Sequence, residues 1–383
     1  MLTTSFAIAV PHSFFTVSNL QNILSQNAVM LILGSGLTLV VLLGEIDLSF
    51  PGIIMITGAA AGLFFYGTKV GVPLIGYVAI ASHSPVLCVV LAILIGVLLG
   101  LLNGGLVAGV GVPSFIGSLA VLLLAEGWAY YWLNGKTVYN FPAWILTLGQ
   151  GSWGPVPIIA VCAAIVALLV HLVLSRTVIG RFIYMTGASQ DAARLSGINT
   201  RRVRFLVLAF AGFIAAIAGM AYAGRYAAID ATSGPALLLP TFAAVVLGGN
   251  SLFGGAGGIK NTVVGVLLYG VLGNGLLLLN VNIFALPFLE GMLLVVAVVL
   301  NVGLSRLARL AARRVSLRNL GMIGDASPST SCRDLTAPAD AVAADNVPDG
   351  PLRTVRTDPR VAATSGELGP AARLPGGRTG GDR

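Results

Sequence analysis

The chain has 383 residues, 56% hydrophobic and 9% charged, with a net charge of +8 and a mean hydropathy of +0.93. So little charge cannot cover a soluble fold of this length, so the solvent for most of the chain is lipid. The basic residues cluster beside apolar spans, which speaks against nucleic acid as a partner; three cysteines and three histidines without ligand spacing speak against a metal or redox centre.

In chain order, residues 1–27 come first. The opening MLTTSFAIAV is too short to span and lacks the basic start of a signal peptide, so this part reads as a truncated or vestigial first helix and the segment leading into the next. A membrane domain then runs over 28–305. Its apolar stretches are 28–44, 53–66, 86–110, 114–133, 156–175, 205–224, 237–249, 262–280 and 283–304. Helices are the default in hydrocarbon, where unpaired backbone groups are costly. The fold class is therefore all-α, a polytopic transmembrane bundle of about nine to ten spans. Several stretches fall short of the ~20 residues of a straight span, which predicts broken helices lining a cavity. Residues 70–81, with Pro73 and two glycines, read as a surface or re-entrant piece. The loop 134–155 carries Tyr139, Phe141, Trp144 and Trp153, an interfacial aromatic belt too small to be a binding domain.

Two arginine clusters set the sidedness. Arg176, Arg181, Arg194, Arg201, Arg202 and Arg204 lie in one loop, and Arg306, Arg309, Arg313, Arg314 and Arg318 follow the last span; both face the cytoplasm. Residues 306–383 hold 12 Arg and 8 acids, few aromatics and many Ala, Pro, Gly and Asp. That composition describes a basic juxtamembrane stretch and a disordered cytoplasmic tail.

Glycines carry two signals. Gly96, Gly100 and Gly104, and then Gly105 and Gly109, recur every four residues, a spacing that lets helices approach closely. The loop GGNSLFGGAGGIKNT (248–262) invites a phosphate-binding reading, but Ile259 precedes Lys260 and Asn261 follows it, so the P-loop pattern fails. A tight cytoplasmic turn remains. Polar residues inside spans are expensive and so informative. Asp47, Asn103, Glu126 and Asn274 form a candidate translocation path, with inter-helix hydrogen bonding the competing role for the amides and helix capping by Ser49 the competing context for Asp47. An intramembrane acid either pairs with a cation such as Arg225 or lines a wet path; both stay open.

The segment GASQDAARLSGINTRRVR (187–204) interrupts this apolar chain with four arginines. Ser189 can cap a short helix whose first turn carries Asp191 and whose last carries Arg194, with Gly197 as a left-handed stop and Thr200 capping the next span. Two free turns are marginal in water, so this helix needs a surface. Ala188, Ala192 and Leu195 give it an apolar side. It reads either as a basic loop on lipid head groups or as a helix that docks into a soluble partner.

The runs GEIDLSFPG (44–52), NGGLVAGVGVPSFIGSLA (103–120), LNGKTV (133–138), RTVIGRFIYMTGASQDAARLSGINTRRVR (176–204) and AAVVLGGNSLFGGAGG (243–258) resemble ABC-importer permeases for ribose, xylose, arabinose and related monosaccharides. The likeness extends over about 20–304. It implies that Gly187, Ala188, Asp191, Ala192, Arg194, Leu195 and Gly197 belong to a coupling helix seated in a groove of a separate ATPase subunit. It further implies that this chain is no enzyme, has no catalytic residue and binds no cofactor, with ATP and Mg held by the partner. Expected partners are that ABC ATPase, an extracytoplasmic sugar-binding protein, a second permease subunit (a homodimer) and membrane lipid, in a bacterial cytoplasmic (inner) membrane. Glu45 stands where such permeases usually have a second glycine, and they tend to be basic around Glu126 and Glu290. Permeases for branched-chain amino acids or nucleosides, and ion-driven secondary transporters, are the alternatives.

Overall fold

The computed structural model describes residues 14–279, apart from 66–68, 73–75, 80–83, 140 and 231–232, and scattered positions between 281 and 303. The chain divides into Met1–Ile323 and Gly324–Arg383. The second unit, and with it the expected tail, lies outside the described residues, as does most of the stretch 283–304.

Helix α1, Val17–Leu42, is capped by Thr16, whose hydroxyl accepts from Asn19 N at 3.2 Å. It contains the apolar stretch 28–44 except its last two residues, and starts eleven residues earlier. Nearly all of its inner part is buried, because α1 stands at the centre with other helices on every side. Helix α2 is Phe50–Leu63. A hairpin follows, β1 (Lys69–Val72) antiparallel to β2 (Gly76–Ala79), with Lys69 opposite Ala79. This hairpin is a small β addition to a mostly helical chain and gives the piece expected over 70–81 its form: valines and tyrosine favour strands, and proline opposes a continuous helix there.

Helix α3, Pro85–Gly104, continues as a π-helical turn over Gly105–Val110. Helix α4 is Ser114–Leu133 and the short α5 is Ala143–Gln150. A second small hairpin, β3 (Ser152–Trp153) and β4 (Val156–Pro157), leads into α6, Ile158–Arg176. Then come α7 (Val178–Ala188), α8 (Gln190–Leu195), α9 (Thr200–Tyr226), α10 (Pro235–Leu247) and α11 (Ile259–Leu278).

Among the described residues six helices are long and apolar enough to cross a membrane: α1, α3 with its π turn, α4, α6, α9 and α11. The expected count of nine to ten is not reached there. The arginine-rich ends of α6 and α9 put their junction on the cytoplasmic side. Antiparallel α3 and α9 then meet along a seam of small residues. A methyl group on Gly100 would stand 2.9 Å from Leu208 O and Ala209 O, and one on Gly104 2.9 Å from Phe205 O. Gly105 and Gly109, by contrast, meet nothing within 4 Å, because the helix changes pitch at Gly105 and turns them outward.

Two helices are half-length. α2 has 14 residues and α10 has 13, about 20 Å each against the ~30 Å of a hydrocarbon core. Both start with a proline in the first turn, where no N–H is missed. Gly52, in the first turn of α2, packs on Leu122, Ala125 and Glu126 of α4, about 12–18 Å above that helix's cytoplasmic start. Gly234, just before α10, presses on Pro51 O. The two amino-terminal ends thus meet within the membrane, α2 rising outward and α10 descending inward. Non-helical backbone reaches each of them, through residues 45–49 for α2. These are the broken helices that their short apolar stretches predict.

Candidate functional site

At the cytoplasmic end, α7 and α8 lie between α6 and α9. Thr177 starts α7, accepting from Gly180 N at 3.2 Å. Ser189 breaks it with an extended backbone and caps α8, its Oγ accepting from Ala192 N at 3.2 Å. Asp191 and Arg194 occupy the first and last turns of α8, matching the helix dipole. Gly197, at φ +80°, ends it: Ile198 N donates to Ala193 O at 3.0 Å and Gly197 N to Arg194 O at 2.9 Å, a Schellman stop. Arg194 Nε donates to Thr200 Oγ1 at 3.1 Å, fastening the short helix to α9. Thr200 is therefore not the cap of α9. Asn199 is, its Oδ1 accepting from Arg202 N at 3.1 Å.

Only Ala193 of this helix is buried, at 1% exposure, with Ile198 beside it in sequence after the turn. Ala188 and Ala192 are exposed, and Leu195 is 91% exposed. The apolar side named by the sequence therefore points away from the protein. An exposed leucine between charges, on a helix capped at both ends, is a preformed knob.

The knob rests on a junction of glycines. A methyl group on Gly187 would overlap Leu42 O at the end of α1, and the same carbonyl accepts from Gly255 N at 2.9 Å. Gly254 lies against Gly187 O and Gly44, and Gly255 against Ala188. Tyr184 of α7 adds a hydroxyl bond to Gly257 O at 3.0 Å. The glycine-rich loop is thus a tight turn that clamps the α7–α8 segment to α1. Gly249, Gly254, Gly255, Gly257 and Gly258 all have positive φ, which side chains disfavour. Asn250, fully buried, organises the turn: its Oδ1 accepts from Gly258 N at 2.7 Å, and its Nδ2 donates to Val245 O and Thr262 Oγ1. Thr262 in turn meets Thr38 of α1 through their hydroxyls. Sequence reasoning missed this network; an asparagine inside a glycine run between two spans is the signal that points to it.

The four candidate path residues do not converge. Asp47 and Asn103 come together, both buried within 1% exposure. Asp47 Oδ1 accepts from Ser49 N at 2.8 Å and Ser49 Oγ at 2.6 Å, so Ser49 serves the aspartate and makes no cap bond to α2. The Asn103 amide has no hydrogen bond of good geometry. Asn274 lies elsewhere, in a reciprocal amide pair with Asn19: Asn274 Nδ2 donates to Asn19 Oδ1 at 2.9 Å, and Asn19 Nδ2 to Asn274 Oδ1 at 3.0 Å. This bridge between α11 and α1 is the inter-helix role. Glu126 is on α4 beside Gly52. Glu45 pairs with Arg204, not with Arg225. Arg225 lies over the Tyr226 ring at 5.8 Å.

Residues 19–300 match the family described as "Branched-chain amino acid transport system / permease component". The ribose import permease protein of Escherichia coli (strain K12) is 34% identical over 297 residues, covering 76% of this chain and 87% of that one. The ribose import permease protein of Bacillus subtilis (strain 168) is 33% identical over 295 residues, 76% of this chain and 86% of its own. The fructose import permease protein of Rhizobium meliloti is 30% identical over 312 residues, 79% and 83%. No solved structure matches.

Proposed function

The chain belongs to that family of transport-system permease components, and from that premise we propose that it is the membrane subunit of an ATP-driven importer of a monosaccharide. Similar permeases are named for ribose and for fructose, which supports a pentose or hexose substrate of the ribose type. It works in the bacterial cytoplasmic membrane. An ATPase subunit carries ATP and Mg, an extracytoplasmic sugar-binding protein delivers the substrate, and a second copy completes the pathway. No residue of this chain makes or breaks a covalent bond.

One observation carries this reading. The exposed Leu195 knob is braced by Arg194–Thr200 and by the Gly187–Leu42–Gly255 junction. A basic loop resting on head groups needs no such bracing, whereas a lever does. Force applied at Leu195 passes through Gly187 to the end of α1, the central helix, and through Thr200 to α9. Driving a bundle from 1:99 to 99:1 takes about 5.5 kcal/mol of differential binding. ATP binding and hydrolysis on a partner can supply it; a sugar bound equally in both states cannot.

Reconstitution in proteoliposomes with a cognate ATPase and binding protein, assayed over a panel of pentoses and hexoses, tests the proposal. We expect hydrolysis and uptake stimulated by one loaded binding protein. Uptake that runs without ATP and collapses with an ion gradient would refute it.

A further inference from the structure

Where α3 changes pitch at its cytoplasmic end, a cleft of about 380 Å³ opens between the π turn and the start of α9, lined by Ala108, Gly109, Arg201, Arg202, Phe205 and Leu206. A methyl group on Gly109 or Gly111 would meet nothing within 4 Å, so the rim is open. Both arginines are exposed, and among the described residues neither forms a salt bridge; Asp191 and Glu45 pair instead with Arg194 and Arg204. The positive end of the 27-residue helix α9 lies at the same place. Two guanidinium forks beside that pole suit the oxygens of a phosphate.

The floor has the opposite character. Phe205 and Leu206 continue along α9 into Phe210 and Phe213, whose rings stack at 5.6 Å; Leu206 is 53% exposed and Phe210 38%. From Arg201 the helix rises about 14 Å to Phe210 and about 18 Å to Phe213, close to half of a ~30 Å hydrocarbon core. A cationic head above an apolar stripe one leaflet deep fits an amphiphile. A soluble phosphate would leave the stripe uncovered, and an acidic protein loop would end at the membrane surface. A zwitterionic lipid brings its own cation to the two arginines, whereas an acidic lipid does not.

We propose that this cleft binds an acidic glycerophospholipid of the cytoplasmic leaflet, its phosphate held by Arg201 and Arg202 and one acyl chain laid along Leu206, Phe210 and Phe213. The general attraction of basic segments to anionic membranes is shared by every exposed arginine at this end and needs no cleft; this site needs both. The proposal does not depend on the importer reading.

The test is native mass spectrometry of the full chain, released from mild detergent micelles that hold equal amounts of dioleoylphosphatidylglycerol and dioleoylphosphatidylcholine. The first lipid adduct should be phosphatidylglycerol over phosphatidylcholine by at least five-fold. Arg201→Gln with Arg202→Gln should lower that selectivity at least five-fold, and so should Gly109→Leu, which keeps both arginines and fills the cleft. Arg176→Gln with Arg181→Gln removes the same charge from exposed positions outside the cleft and should change it by less than two-fold; an equal loss there would make the binding a property of the whole basic surface and overturn the site. Glycerol 3-phosphate in large excess should not compete, and full competition would make the ligand a soluble phosphate. Absence of selectivity in the parent overturns the proposal outright, and loss of ATPase-subunit binding in the double arginine variant would then give the cleft to that soluble partner.

Discussion

Glu45 and Arg204 meet where α1 ends and α9 begins, with side chains only 8% and 16% exposed. Such a pair is weak evidence for stability, since desolvation offsets attraction, but removing one partner strands the other. Glu45→Leu or Arg204→Met alone should each destabilise the protein by about 3–5 kcal/mol. Glu45→Leu with Arg204→Met should recover most of that, a coupling that thermal unfolding of the four proteins in detergent can measure. Sequence reasoning marked Glu45 as unusual and missed Arg204 as its partner. Periodicity places a residue on a helix face, yet says nothing of which distant helix arrives opposite. The amide pair Asn19–Asn274 was hidden for the same reason. Local features were legible: Ser189 and Gly197 act within four residues, a range over which spacing determines geometry. Even there, Asn199 displaced Thr200 as a cap, and Ser49 gave both its N–H and its hydroxyl to Asp47, because neighbouring polar side chains compete for the same backbone and hydroxyl groups.

At the scale of elements, the α3–α9 seam separates glycines that matter for packing from those that do not. Gly100 faces two carbonyl oxygens of α9, whereas Gly109 faces open space. Gly100→Leu should therefore prevent accumulation of folded protein in the membrane, and Gly109→Ala should change its amount by less than two-fold. Quantitative blots of membrane fractions decide this. The four-residue spacing made both sets look alike in sequence; only the π turn, which leaves no mark on composition, divides them. The half-length helices were easier to foresee. Their apolar runs are short, so length alone pointed to broken helices, although both runs were counted among the expected spans. What length did not predict is that their amino-terminal ends touch, at Pro51 and Gly234.

For the whole molecule, the coupling proposal separates two kinds of damage. Leu195 is 91% exposed and supports nothing inside the protein, whereas Gly187 touches the last carbonyl of α1. Leu195→Glu should leave the melting temperature within about 1 °C, since surface changes of this kind stay near ±0.5 kcal/mol, and should lower ATP-driven uptake at least ten-fold. Gly187→Val should lose both, because its side chain has no space beside Leu42 O. Gly197→Val falls between: a β-branched residue at φ +80° costs roughly 1–2 kcal/mol, paid within α8, so insertion survives while coupling weakens. Measured on one set of proteoliposomes, the three variants distinguish a lever from a loop. If Leu195→Glu transports normally, the knob receives no force, and the bracing around it serves folding alone.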